Sequence, residues 1–285
     1  MHKMQTEEQF ETTITARNGW FDINFRELWK YRDLIYMFVK RDFISRYKQT
    51  ILGPLWALIQ PLLTTVVFTI VFGALAKMPT DGVPPFLFYM SGNIGWAFFA
   101  GCITQTANTF VGNAAIFGKV YFPRLTMPIA VVFSQLISFV IQLFLFGCIF
   151  AWYCISNKTC LISPHIWYYP FLLLQMGILG LGCGIIISSV TTKYRDLMML
   201  VAFGVQLWMY ASAVVYPVSM IPEKYQSLFL LNPMAVVIES SRNLFLGGSS
   251  LSLTNYGISW GITVVVLALG VVLFSKVEKN FMDTI

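Results

Sequence analysis

Gly112-x-x-x-x-Gly118-Lys119 puts two glycines and a lysine at the spacing of a loop that cradles nucleotide phosphates. That chemistry needs backbone N–H groups at a helix N-terminus and a hydroxyl after the lysine to hold magnesium. Val120 stands where the hydroxyl is required. A long apolar run precedes the motif where a strand is needed, and no alternation of short strands and helices follows. The stretch does not read as a nucleotide site. A second constellation is Glu239 with Arg242, three residues apart, which meet on one face if the segment is helical. Glu223 is the nearest other carboxylate in the sequence, so the acidic pair of a glycosyl-transfer or metal centre is missing. The other reading of Glu239 and Arg242 is an incidental ion pair in a loop.

Composition sets the elements that position these residues. The chain has 285 residues, 57% hydrophobic and 11% charged, with a mean hydropathy of +0.69. A soluble domain carries about 25% charge. The deficit extends over most of the chain, which marks an integral membrane protein. A spanning helix needs about 20 mostly apolar residues. Runs at about 54–76, 86–110, 128–154, 166–190, 197–216 and 255–274 meet that length. They predict an all-α fold of six transmembrane helices with both termini on one side. Fifteen of the 19 Lys+Arg then fall on the side of the termini and four on the other. The positive-inside rule places both termini in the cytoplasm. The excess of positive charge suits a membrane face, and no basic groove with stacking aromatics suggests a nucleic-acid partner.

Residues 24–48 are too charged to span. Asn24 and Glu27 have capping-box spacing, and Leu28, Tyr31, Leu34, Phe38 and Ile44 recur at helical period opposite Lys30, Lys40, Arg41 and Arg46. The segment is expected to be an amphipathic helix on the cytoplasmic membrane surface, or one packed on a partner domain. Residues 217–254 are broken by Pro217, Pro222 and Pro233 into apolar pieces too short to cross. They are expected to form two short external helices, re-entrant or interfacial. The stretch from 112 to 128 joins two spans and holds Phe117, Val120, Tyr121, Phe122 and Leu125 beside Lys119 and Arg124. It reads either as a docking knob, since aromatics and Arg are favoured in interface hot spots, or as a plain positive-inside turn. The shorter loop with Tyr194, Arg195 and Asp196 has the same character.

In order and spacing, "ELWKYRDLIYMFVKRDFISRYKQTILGPLWALIQPLL", "KVYFPRLTMP", "KYRDL" and "LLNPMAVVIESSRNLFLG" resemble the permease subunits of ABC-2 type exporters, most closely those of polysaccharide export. The resemblance runs from about Trp20 to the C-terminus. It implies a cytoplasmic segment at 1–53 and a transmembrane domain at 54–285, with a coupling loop at 112–128 and a re-entrant segment at 217–247. It implies a homodimer in the bacterial inner membrane, paired with two copies of a separate ATPase that binds ATP and magnesium, so that this chain binds no cofactor and is no enzyme. Lys119, Val120, Tyr121, Phe122, Pro123 and Arg124, with Tyr194, Arg195 and Asp196, would touch that ATPase. Arg41, Asp42, Arg46 and Tyr47 would form an interface helix beside it. The substrate would be an undecaprenyl-linked, O-antigen-like glycan; a capsule or teichoic acid polymer, or a drug or lipid, is the alternative.

A glycan needs a wet path, and rings bind sugar C–H faces while letting the chain slide. Phe, Trp and Tyr make up 46 of the 285 residues. Tyr89, Trp96, Tyr210 and Tyr216, near external ends of spans, are expected to line that path; interfacial aromatic belts are the competing account. Polar residues inside the spans are few: Gln60, Asn93, Gln105, Asn108, Gln135, Gln142, Gln175 and Gln206. No Asp, Glu, His or Lys lies well inside a span, which argues against proton coupling and for an external energy source.

Overall fold

The computed structural model describes residues 25–48, 50–117, 119, 122–157, 162–192, 194, 196–248 and 252–280. Among these, all regular structure is helical. Residues 25–48 of the expected helical segment form two helices, α1 (Phe25–Lys30) and α2 (Arg32–Tyr47), broken at Tyr31. A short 3₁₀ turn leads into α3 (Trp56–Phe68), which carries Pro61 and continues as a π-helical stretch over Thr69–Leu75. Next come α4 (Pro85–Ala107), the short α5 (Thr109–Gly112) and α6 (Ala114–Phe117), and α7 (Thr126–Asn157). The remainder is α8 (Tyr169–Thr191), α9 (Leu197–Tyr210), α10 (Glu223–Phe229), α11 (Pro233–Leu246) and α12 (Leu253–Asn280). Asn24 of the expected capping box lies outside the described residues.

Among the described residues five helices are long and apolar enough to cross a bilayer, beginning at Gly53, Pro85, Thr126, Ile166 and Leu253. The chain is a multi-pass membrane protein. The sixth expected span, 197–216, is helical only through Tyr210. Its 14 residues reach about 21 Å, short of a hydrocarbon core of about 30 Å. The turn that follows accounts for the early stop: the Tyr216 hydroxyl takes Tyr210 O at 2.6 Å and the Asn232 amide takes Ala211 O at 2.7 Å. The Arg242 guanidinium takes the carbonyls of Ala213 and Val214 at 2.9 and 3.3 Å, and Ala213 adopts a left-handed φ of 56° that no helix continues through.

α4 is the central helix, packed against α3, α7, α8, α9 and α11. Lipid offers no hydrophobic contrast with an apolar helix, so close packing comes from small residues. α8 supplies them on two faces. A Cβ on Gly180 would meet Cys102 Cβ at 2.6 Å, and one on Gly184 would meet Thr106 Cβ at 2.5 Å, both on α4. On the other face a Cβ on Gly182 would meet Leu267 Cα of α12 at 2.9 Å. Gln175 adds hydrogen bonds to Ser259 and Thr263 of α12 at 2.6 and 3.3 Å. α10 and α11 lie between α9 and α12 in sequence. α10 is largely exposed and α11 almost wholly buried. Asn232 caps α11 by accepting from Met234 N–H at 3.1 Å and donates to Ala211 O at 2.7 Å, tying the helix to the turn after α9.

Candidate functional site

Six of the eight polar span residues read from the sequence, Asn108 at one end among them, converge on one groove between α2, α3, α4 and α7. Its first half, a cavity of about 370 Å³, is lined by Arg41, Asp42, Arg46, Gln105, Asn108 and Gln135. Its second half, about 520 Å³, shares Arg46, Gln105 and Gln135 and adds Tyr47, Gln60, Asn93, Ser138 and Gln142. Gln175 stands apart, in the α8–α12 contact. Amide side chains each carry donors and an acceptor, so this wall can trade hydrogen bonds with water or with a hydroxylated ligand. Gly101 keeps the wall flat: a Cβ there would meet Gln135 Oε1 at 2.8 Å. Asn93 donates to Pro61 O at 3.3 Å, using a carbonyl in a helix that proline already perturbs.

The helix that closes the groove stands against α7. Phe38 sits 5.7 Å from Phe122, before the start of α7. Tyr47 OH meets Ser138 Oγ at 3.3 Å, three turns further along α7. Leu34, Ile35 and Val39 pack on the same side as Phe38, whereas Trp29, Tyr36, Met37 and Ile44 are exposed. The expected surface helix is therefore packed on its own chain, and Ile44 belongs to its outer face. Arg41 is engaged by Asp42 at 2.8 and 3.0 Å and lies over the Phe38 ring.

At the end of the bundle near Phe38 the α5–α6 knob forms a small aromatic core. Phe122 stacks on Phe117 at 5.5 Å, Phe117 lies 5.6 Å from Phe110, and Phe110 stacks on Phe274 of α12 at 4.8 Å. Phe117 and Phe122 are thus buried: they fasten the knob to α2 and α12 and present no ring to a partner. Arg124 covers the Phe117 ring at 5.9 Å, Pro123 is half-buried and Lys119 is exposed. In the neighbouring loop Tyr194 and Asp196 are exposed. Val120, Tyr121 and Arg195 lie outside the described residues, as does Gly118 of the near-motif.

The structure divides the four candidate path aromatics. Tyr89 and Trp96 are buried in the core, Tyr89 with 0% exposure and Trp96 with 4%; Trp96 packs edge-on to Phe99 at 5.3 Å. They are packing residues of α4. Tyr210 is exposed and Tyr216 half-buried, with the Tyr216 hydroxyl donating to Tyr210 O at 2.6 Å.

Glu239 and Arg242 meet inside the protein. Arg242 Nη1 donates to Glu239 Oε2 at 2.9 Å, and the guanidinium lies 3.7 Å from the Phe88 ring centroid. Burial pushes the Glu239 carboxyl above its ordinary range, and the adjacent guanidinium pulls it back. The two carbonyls and the carboxylate take the terminal nitrogens of Arg242 and the ring covers its face, with Nε buried and unpartnered, so the pair is a clasp between α11, α4 and the 211–216 turn. Among the described residues no group of three His, Cys, Asp or Glu could hold a metal.

The groove was half legible in the sequence. Polar residues inside spans are a strong signal, but their convergence on a shared wall needed the helix packing. Ser138 and the glycine at 101 carried no signal of their own.

Known proteins similar to this chain include export and transport proteins. The O-antigen export system permease protein RfbA of Klebsiella pneumoniae is 29% identical over 256 residues, covering 88% of this chain and 94% of the relative. Its namesake in Myxococcus xanthus is 28% identical over 225 residues, covering 77% and 83%. The polysialic acid transport protein KpsM of Escherichia coli is 23% identical over 254 residues, covering 86% and 93%. Residues 33–246 match the ABC-2 type transporter family, which is most of the chain, so the chain belongs to that family.

Proposed function

We propose that this chain is the transmembrane subunit of an ATP-driven exporter that moves a lipid-linked, O-antigen-like polysaccharide across the bacterial inner membrane. Two copies would pair with two ATPase subunits, which bind ATP and magnesium; the chain itself would hold no cofactor and hydrolyse nothing. The observation that carries the reading is the amide-lined groove. A polymer of hydroxyl groups cannot cross lipid, and a wall of Gln and Asn exchanges hydrogen bonds along it without holding any one sugar tightly. The relatives' roles in O-antigen and polysialic acid transport support a polysaccharide over a drug. The likeness to a polysialic acid transport protein keeps a polymer other than O-antigen, such as the capsule alternative, as the second reading.

In this reading the termini, the knob and the Tyr194 loop face the cytoplasm. Lys119, Arg124, Tyr194 and Asp196 take the force of the closing ATPases, with Val120, Tyr121 and Arg195 beside them. The aromatic core passes the push on. Phe122 against Phe38 moves α2, and Phe110 against Phe274 moves α12. Because α2 also forms one side of the groove through Arg46 and Tyr47, displacing the knob widens or narrows the groove. A coupling claim requires that this packed element have a second position, which the Arg124 variant below addresses.

The test is a chromosomal deletion complemented by wild type or by Arg124→Glu, with surface polysaccharide read on gels and the ATPase co-purified. Wild type is expected to restore the polymer. Arg124→Glu is expected to lower export at least tenfold with the ATPase bound weakly or uncoupled. A deletion that leaves every surface polymer unchanged rules out the export reading. Normal export by Arg124→Glu rules out the assigned coupling surface.

A further inference from the structure

Among the described residues, left-handed backbone outside glycine gathers at one end of the molecule: Lys77 with φ of 51°, Asp81 with 50° and Ala213 with 56°. Asp tolerates that region, but in Lys and Ala the Cβ crowds the following carbonyl. Such residues persist where surrounding contacts hold them. Ala213 is held through its carbonyl by Arg242. Lys77 and Asp81 lie between α3 and α4, and that loop is tied across the fold. Ser219 Oγ donates to the two Asp81 carboxylate oxygens at 2.8 and 3.0 Å, across 138 residues of sequence. Asp81 also lies within electrostatic reach of Glu239 and Arg242, which joins the loop to the clasp. The helix that enters the loop is irregular too. Its outer end, Thr69–Leu75, is π-helical. Ala76 N–H reaches Val71 O and Met78 N–H reaches Phe72 O, each at 2.9 Å, one and two residues beyond α spacing. This register places Gly73 against α4, where a Cβ would meet Pro85 Cβ at 3.2 Å; a shift of one residue would put Phe72 or Ala74 there. Asp81 and Ser219 are both exposed, so water competes for their bond. A strained element held by a breakable bond is the kind that takes two positions.

We infer that the Asp81–Ser219 contact is a release strap: closed, it holds the outer end of α3 in the π register, and open, it lets that end rewind by one residue. Rewinding turns the inner half of α3, whose Gln60 and Thr64 line the groove. The strap thus links the shape of the groove to the 3₁₀ turn Val218–Met220 that precedes α10. The inference rests on the export reading for the ATP-driven cycle that opens the strap.

The test uses the full transporter with its ATPase in phosphatidylcholine nanodiscs. Hydrogen exchange reads the strap, and ATP turnover reads its place in the cycle. Asp81→Ala is expected to speed exchange of the 69–78 amides about tenfold or more. Asp81→Asn keeps an acceptor oxygen and should speed it less. Lys77→Gly removes left-handed strain from the closed form and should slow it. Exchange in α8 matching wild type shows that the variants are folded. For the cycle, Asp81→Cys and Ser219→Cys are combined and bridged with a short reducible bis-thiosulfonate, the bridge being verified by mass spectrometry. The bridged pair is expected to turn over ATP about tenfold more slowly and to recover with reductant, while each single variant treated alike keeps its rate. Unchanged exchange at 69–78 in Asp81→Ala overturns the strap, and so does an equal rise in α8. Wild-type turnover by the bridged pair overturns its opening in the cycle. If deletion of the chain alters surface polysaccharide while Asp81→Ala exchanges normally, this inference fails and the export reading stands. If deletion alters nothing but bridging still slows turnover, the strap stands and the export reading fails.

Discussion

Arg242→Met is expected to destabilise the transporter by about 3–5 kcal/mol, the loss found when one partner of a buried ion pair is removed. Met fills similar volume, so the loss is electrostatic rather than a cavity. The Glu239 carboxylate, with 8% exposure, would be left without its counter-charge. The carbonyls of Ala213 and Val214 would lose their donor, and the cation–π contact with Phe88 would vanish. The turn at Ala213 would relax from its left-handed conformation, freeing the end of α9. In membranes this should appear as low accumulation, and in detergent as a melting temperature several degrees lower. Glu239→Gln alone should do less harm, because the guanidinium keeps both carbonyls and the ring. The double variant Glu239→Gln, Arg242→Met should recover part of the loss, since no unpaired charge is left. If Arg242→Met accumulates and melts like wild type, the clasp does not hold this end of the fold together.

The second large effect belongs to the α8–α12 seam. Gly182→Ala is expected to cost about 1–3 kcal/mol, the range for overpacking a close contact, and Gly182→Leu to prevent assembly of α12. A Cβ on Gly182 meets Leu267 Cα at 2.9 Å and its N at 3.0 Å, and one on Gly270 meets Gly182 O at 2.8 Å. All of these are backbone atoms, which have no rotamer to turn out of the way. The helices would have to separate, and the Gln175 bonds to Ser259 and Thr263 would lengthen. Gly147→Ala is the control, because a Cβ there has nothing within 4 Å. It should be neutral or stabilise by about 0.5–1 kcal/mol through helix propensity. Thermal unfolding of the three variants and wild type checks the order. Equal effects at positions 182 and 147 would show that the seam is not close-packed.

The membrane class and most of the helices were readable in the sequence because the bilayer imposes a local rule. A span must satisfy its own backbone and show about 20 apolar residues to lipid, and both conditions are met residue by residue along the chain. Glu239 and Arg242 were readable as neighbours for a similar reason: three residues on a helix is one turn, whatever surrounds it. Only the tertiary structure decided which way the side chains of these apolar helices face. Tyr89 and Trp96 went to the core, Phe122 turned inward, and Gln60, Gln105, Gln135 and Gln142 came to one wall. Lipid and protein interior are equally apolar, so hydropathy does not separate the two faces of such a helix. The same limit applied to the run at 197–216. Its composition is that of a span, but its helix ends where Asn232, 22 residues after Tyr210, takes the Ala211 carbonyl and Ala213 turns left-handed. That long-range hydrogen bond has no signature in the run itself.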